Sequence, residues 1–132
     1  MRSMEIMAKL GLSALQEGGA DQTVCTVSRT VTRELTAEWG EFSLYRTIFD
    51  DSVGYMAIVG GRRGVLSQNT VNEEAIREGA ANCLKSAQAA DPDEAWQLAP
   101  PLPEQLFETG PLTCDEEKLF ERCEEFLDDI RT

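Results

Sequence analysis

Val24-Cys25-Thr26-Val27-Ser28-Arg29-Thr30-Val31-Thr32-Arg33-Glu34-Leu35 is the stretch on which the fold turns. Val and Thr dominate it, and β-branched side chains suit the pleated surface of a strand better than a helix. Read with a period of two, one face carries Cys25, Val27, Arg29, Val31, Arg33 and Leu35. The other carries Val24, Thr26, Ser28, Thr30, Thr32 and Glu34. Neither face stays apolar toward its far end, so the strand is expected to project past the core that anchors its beginning.

Downstream, Trp39-Gly40-Glu41 reads as a turn and Phe42–Phe49 as a returning strand with Phe42, Leu44, Arg46 and Ile48 on one side. Asp50-Asp51-Ser52 reads as a second turn, Val53–Val59 as a third strand, Gly60-Gly61-Arg62-Arg63 as a third turn and Gly64–Gln68 as a fourth strand. The expected sheet is a four-stranded antiparallel meander. Upstream, residues 3–17 repeat Met4, Met7, Ala8, Gly11, Ala14 and Leu15 at helical intervals, and Gly18-Gly19 ends that helix. After the sheet, Thr70 with Glu73 forms a capping-box pattern, opening a helix striped by Ala75, Ile76, Ala80, Cys83, Leu84 and Ala87. Asp91-Pro92-Asp93 stops it. A last helix begins near Thr113 with Glu116 as its capping-box acid, striped by Leu119, Phe120, Cys123, Phe126, Leu127 and Ile130. The fold class is α+β, ordered α-β-β-β-β-α with a trailing acidic helix: a scaffold over residues 1–90, a Pro-rich surface linker over 91–112 containing Pro100-Pro101-Leu102-Pro103, and an acidic amphipathic helix over 113–132.

At 132 residues, 42% hydrophobic and 27% charged, the chain has the composition of one small globular domain. No apolar run approaches the roughly 20 residues a membrane helix needs. Arg2, Glu5 and Lys9 interrupt what would be the apolar core of a signal peptide, so a cytoplasmic location is expected. The net charge of −12 is concentrated: residues 91–132 hold thirteen acids against three bases. A nucleic-acid surface would be basic, which excludes that class of partner. The acidic helix reads first as a solvated face; the alternative is a stand-alone interaction domain that binds a basic partner through Asp115–Asp129.

Reactive groups are sparse. The chain has no His, and Cys25, Cys83, Cys114 and Cys123 are widely separated, with no C-x-x-C pair. No catalytic residue and no metal ligand is therefore assigned. Cys83 and Cys123 fall on apolar stripes as small hydrophobes would; Cys114 alone precedes a helix start, the setting that lowers a thiol pKa. Gly60-Gly61-Arg62-Arg63-Gly64 lacks the Gly-Lys-Ser/Thr ending of a phosphate loop and reads as a hairpin turn. Glu116, Glu117, Glu121, Glu124, Glu125, Asp128 and Asp129 lie on a helix without the Gly-punctuated loop that wraps calcium. Arg29, Arg33, Arg46, Arg62 and Arg63 are the candidate contacts for a peptide or a partner subunit, the alternative being exposed rim arginines. Long strands of mixed character also suit pairing with another chain, and the Val24–Phe49 hairpin is the candidate interface.

The order of elements from Gly18-Gly19-Ala20-Asp21 onward resembles the N-terminal domain of the TldD/PmbA family, also called modulators of DNA gyrase. The resemblance rests on Gly54-Tyr55-Met56-Ala57-Ile58-Val59-Gly60-Gly61-Arg62-Arg63-Gly64-Val65-Leu66-Ser67-Gln68-Asn69, which matches the family's glycine-bounded hairpin ending in Ser-x-Asn. It rests also on the helix from Asn72-Glu73-Glu74-Ala75-Ile76-Arg77-Glu78 to Asp91-Pro92, and it covers roughly residues 5–95. Such members look like subunits of dimeric metallopeptidases that degrade unfolded peptides in a closed chamber. The resemblance implies a partner subunit, a peptide substrate, and zinc held by a His-Glu-x-x-x-His motif in a later part of the chain. A His-free chain cannot supply those ligands, so the implied role here is a non-catalytic chamber wall, with the last helix leading into a C-terminal peptidase domain or the whole serving as the non-catalytic partner.

Overall fold

The computed structural model describes residues 4–131. Along the chain it contains α1 (Met4–Glu17), β1 (Gln22–Glu38), β2 (Glu41–Val59), β3 (Arg62–Gln68), α2 (Glu73–Ala89) and α3 (Glu116–Ile130). Ser3, with which the first helix was expected to open, and Thr132 lie outside the described residues. No helix among the described residues is long and apolar enough to cross a membrane.

The fold is α+β, as expected, but its sheet has three strands in the order β1-β2-β3 instead of four. The expected turn at Asp50-Asp51-Ser52 does not form, and one strand runs unbroken from Glu41 to Val59. The polar triplet stays extended because its side chains have cross-strand partners. Arg29 donates from Nε and Nη2 to the two Asp51 carboxylate oxygens at 2.8 and 3.0 Å, and the Ser28 and Ser52 hydroxyls meet at 2.7 Å. No glycine stands there to supply the positive φ that a tight hairpin needs.

The two turns that do form obey that requirement. Gly60 and Gly61 have φ of 57° and 74°, and Trp39 and Gly40 have 57° and 79°, the type I′ pattern. Between the two strands joined by the second turn, Arg33 donates from Nη1 to the Thr47 hydroxyl at 2.9 Å. Phe42 and Tyr45 of β2 both reach the Phe120 ring, at 5.5 and 5.3 Å between centroids.

The chain folds as two compact units. The first comprises the chain up to Arg29 together with Asp50–Pro101. Its core joins Met7 and Leu15 of α1, Val53, Tyr55 and Ala57 of β2, and Ile76, Ala80, Cys83 and Leu84 of α2. β3 pairs antiparallel with β2 from Val53↔Gln68 to Val59↔Arg62. α1 ends in a Schellman motif at the expected glycines: Ala20 N–H donates to the Leu15 carbonyl, Gly19 N–H to that of Gln16, and Gly19 takes φ 100°. The cap of α2 is not the expected Thr70 but Asn72, whose Oδ1 accepts from the Ala75 N–H at 2.8 Å. The short amide of Asn at this position is as good a cap as any residue provides.

The second unit comprises Thr30–Phe49 together with the chain from Leu102 onward. Here the outer halves of β1 and β2 form a ribbon against which α3 lies. α3 is capped by Asp115, which accepts from the Lys118 N–H, and not by Thr113. Of its expected stripe only Leu127 is buried, while Phe126 and Ile130 remain more than half exposed.

Candidate interaction surface

Each of the five candidate arginines has a partner of its own within the chain. In the first unit, Arg29 forms the bidentate pair with Asp51, which holds that carboxyl below its ordinary range, the Arg29 hydrogen bonds outweighing the opposing effect of burial. Arg62 donates to the Ala90 carbonyl just past the end of α2, and the Arg63 guanidinium stacks 3.9 Å above the Trp96 ring. These two hold the segment after α2, as does Asp93 N–H donating to the Gly61 carbonyl. In the second unit, Arg33 bridges Thr47 and Glu116, and Arg46 pairs with Glu34. All five thus brace the sheet or the segments against it.

The thiols sit in two kinds of surroundings. Cys83 is fully buried on the α2 stripe, and Cys25 is half-buried against Gly11. Burial pushes both thiols up, and for Cys25 the neighbouring Cys83 adds to the effect, the reverse of what nucleophilic catalysis requires. Cys114 is exposed and Cys123 intermediate. Among the described residues no group of three His, Cys, Asp or Glu is placed to hold a metal ion.

One concavity has no counterpart among the sequence expectations. In the first unit, Met4 and Met7 of α1, Val27 of β1 and Val71 before α2 form the floor of a groove of about 330 Å³. Its rim carries Ser28, Arg29, Asp51, Asn72 and Glu73. The sequence marks Met4 and Met7 only as members of a helical stripe. The signal available was that the stripe opens on two thioethers, which fill irregular space more readily than a fixed core. β1, which lines one side of the groove, is an edge strand of the sheet. The hairpin it enters ends in Trp39, whose side chain is fully exposed.

Fold and surface together define an α+β domain built on a long edge hairpin. Its fold is that of about a quarter of two solved chains. TldE from Thermococcus kodakarensis superposes with a TM-score of 0.72 at 21% identity, over 92% of this chain and 27% of the other. A chain from Bacteroides thetaiotaomicron, described as a candidate modulator of DNA gyrase, gives a TM-score of 0.55 at 18% identity, over 83% of this chain and 24% of that one. At the level of fold these likenesses support the resemblance to the TldD/PmbA N-terminal domain. No protein-family model and no curated protein matches the sequence.

Proposed function

We propose that this chain is the N-terminal scaffold domain of a TldD/PmbA-type subunit, which associates with a partner subunit of the same family and guides extended peptides toward a peptidase centre located elsewhere. The superposition on TldE over 92% of the chain carries this reading. The edge position of β1 and the bare Trp39 tip support a role in pairing with another chain. The residues present do not fit the zinc that the family implies, because there is no His and no ligand cluster among the described residues. No step of hydrolysis is assigned to them.

The test is to express the complete reading frame that contains this chain and to replace residues 30–49 by a two-glycine turn. Light scattering should show loss of assembly with a TldD/PmbA-type partner while the first unit stays folded. Unchanged assembly and peptidase activity would refute the proposal. Assembly lost in high salt and restored in low salt, with the strands irrelevant, would instead favour a basic partner on the acidic helix.

A further inference from the structure

We infer that the groove between Met4, Met7, Val27 and Val71 receives one large apolar side chain of an extended peptide that adds to the outer edge of β1. The inference rests on the peptide-guiding reading above and gives it a location.

The chemistry of the rim selects the ligand. Both Asp51 oxygens are occupied by Arg29, Glu73 is paired with Arg77, and the Asn72 amide oxygen is committed to capping α2. A charged group entering the groove would lose water and meet no uncommitted counter-charge, whereas an apolar group gives up nothing. At about 330 Å³ the groove has room for a single aromatic or branched aliphatic side chain. Two thioethers in its wall favour an aromatic ring, since sulfur makes favourable contacts with ring edges and the unbranched Met side chain adapts to shape.

A peptide is favoured over a free small molecule by the strand beside the groove. Val27, Ser28 and Arg29 of β1 line the groove, and among the described residues no strand pairs with β1 on the side away from β2. An added strand would find backbone donors and acceptors there and present alternate side chains to the same face. Main-chain pairing gives affinity without sequence preference, and the groove adds preference at one position.

The experiment uses the full chain with ¹³C-methyl-labelled Met and two capped pentapeptides, acetyl-Thr-Thr-Phe-Thr-Thr-amide and the same peptide with Asp in place of Phe. The Phe peptide should shift the Met4 and Met7 methyl signals saturably and leave Met56 unmoved, and the Asp peptide should bind roughly tenfold more weakly or worse. Met4 is 43% exposed, so Met4→Asp should keep the fold and abolish the Met7 shift. Absence of shifts at millimolar peptide, equal binding of both peptides, or Met4 and Met7 signals that move with protein concentration alone would overturn the inference. The last outcome would mean that a second copy fills the groove. Loss of groove binding with intact assembly defeats this inference alone; loss of assembly with groove binding intact defeats the subunit reading alone.

Discussion

Gly64 on β3 lies where the sheet and α2 come closest, and adding a single methyl there should be costly. A Cβ at Gly64 would press on the Cys83 carbonyl oxygen and stand 2.6 Å from the Ala87 nitrogen and 2.9 Å from the Ala87 Cβ. Two of these three are backbone atoms of α2, which cannot rotate aside, so the helix must lift. Lifting it loosens Ala80, Cys83 and Ala87, all fully or nearly fully buried, and weakens the Cys83 thiol contact to the Gly64 carbonyl at 3.5 Å. Overpacking of this kind costs ~1–3 kcal/mol or more, against a gain of ~0.5–1 kcal/mol from the lower chain entropy of Ala in the unfolded state. Gly64→Ala should therefore lose about 2 kcal/mol net, or roughly 6–10 °C in Tm for a chain of this size. Gly54→Ala is the internal control: it is also in a strand, with nothing within 4 Å of the added carbon, and should be neutral or slightly stabilising. Urea titrations followed by circular dichroism would measure both. A Gly64→Ala midpoint equal to that of the parent, or equal losses in the two variants, would refute the claim that this approach sets the helix-to-sheet spacing.

The Tyr55 phenol is pushed up to about 12, chiefly by burial and then by Cys25 and Cys83. Its neutral form is favoured by folding, so that stabilisation is complete below the ordinary value near 10 and is lost as pH rises from there toward 12. Tyr55→Phe, which removes the hydrogen bond donated to the Ile76 carbonyl at 3.3 Å, should cost about 1 kcal/mol at neutral pH and flatten the alkaline limb of the stability profile. Asp51 shows the opposite sign. Its depressed value means stability present above about pH 4 and lost as pH falls through the folded-state value, so Asp51→Asn should be less sensitive to acid in urea melts at about pH 3 against about pH 6. Trp39→Asn should relieve the cost of a bulky residue at φ 57° and protect the ribbon amides against hydrogen exchange by about 1 kcal/mol; lower protection would show that the indole holds the turn. Disulfide-reagent kinetics on the native chain should label Cys114 first and Cys83 last, and rapid Cys83 labelling would contradict its burial.

Local signals carried much of the architecture. The period of α1, its Gly18-Gly19 end, the Gly60-Gly61 turn and the α2 stripe each depend on neighbours within a few residues, and all were legible from the sequence. Gly19 had to be a residue tolerant of positive φ, and Ile76, Cys83 and Ala87 had to share a face, whatever the rest of the chain did. Asp50-Asp51-Ser52 was different. Turn and exposed strand use the same polar residues, and the choice between them was made by Arg29 and Ser28, more than twenty positions earlier in the chain. The candidate arginines show the same limit, because their residue types announced charge but not the carboxylates, carbonyl and indole that each engages. The groove lay further still from view: it exists only because the first turn of α1, the edge of β1 and the entry to α2 come together. Sequence periodicity determined which elements form and which faces they bury. Tertiary structure alone decided which polar side chains are satisfied across strands, and so where the sheet continues and where a ligand-sized space is left.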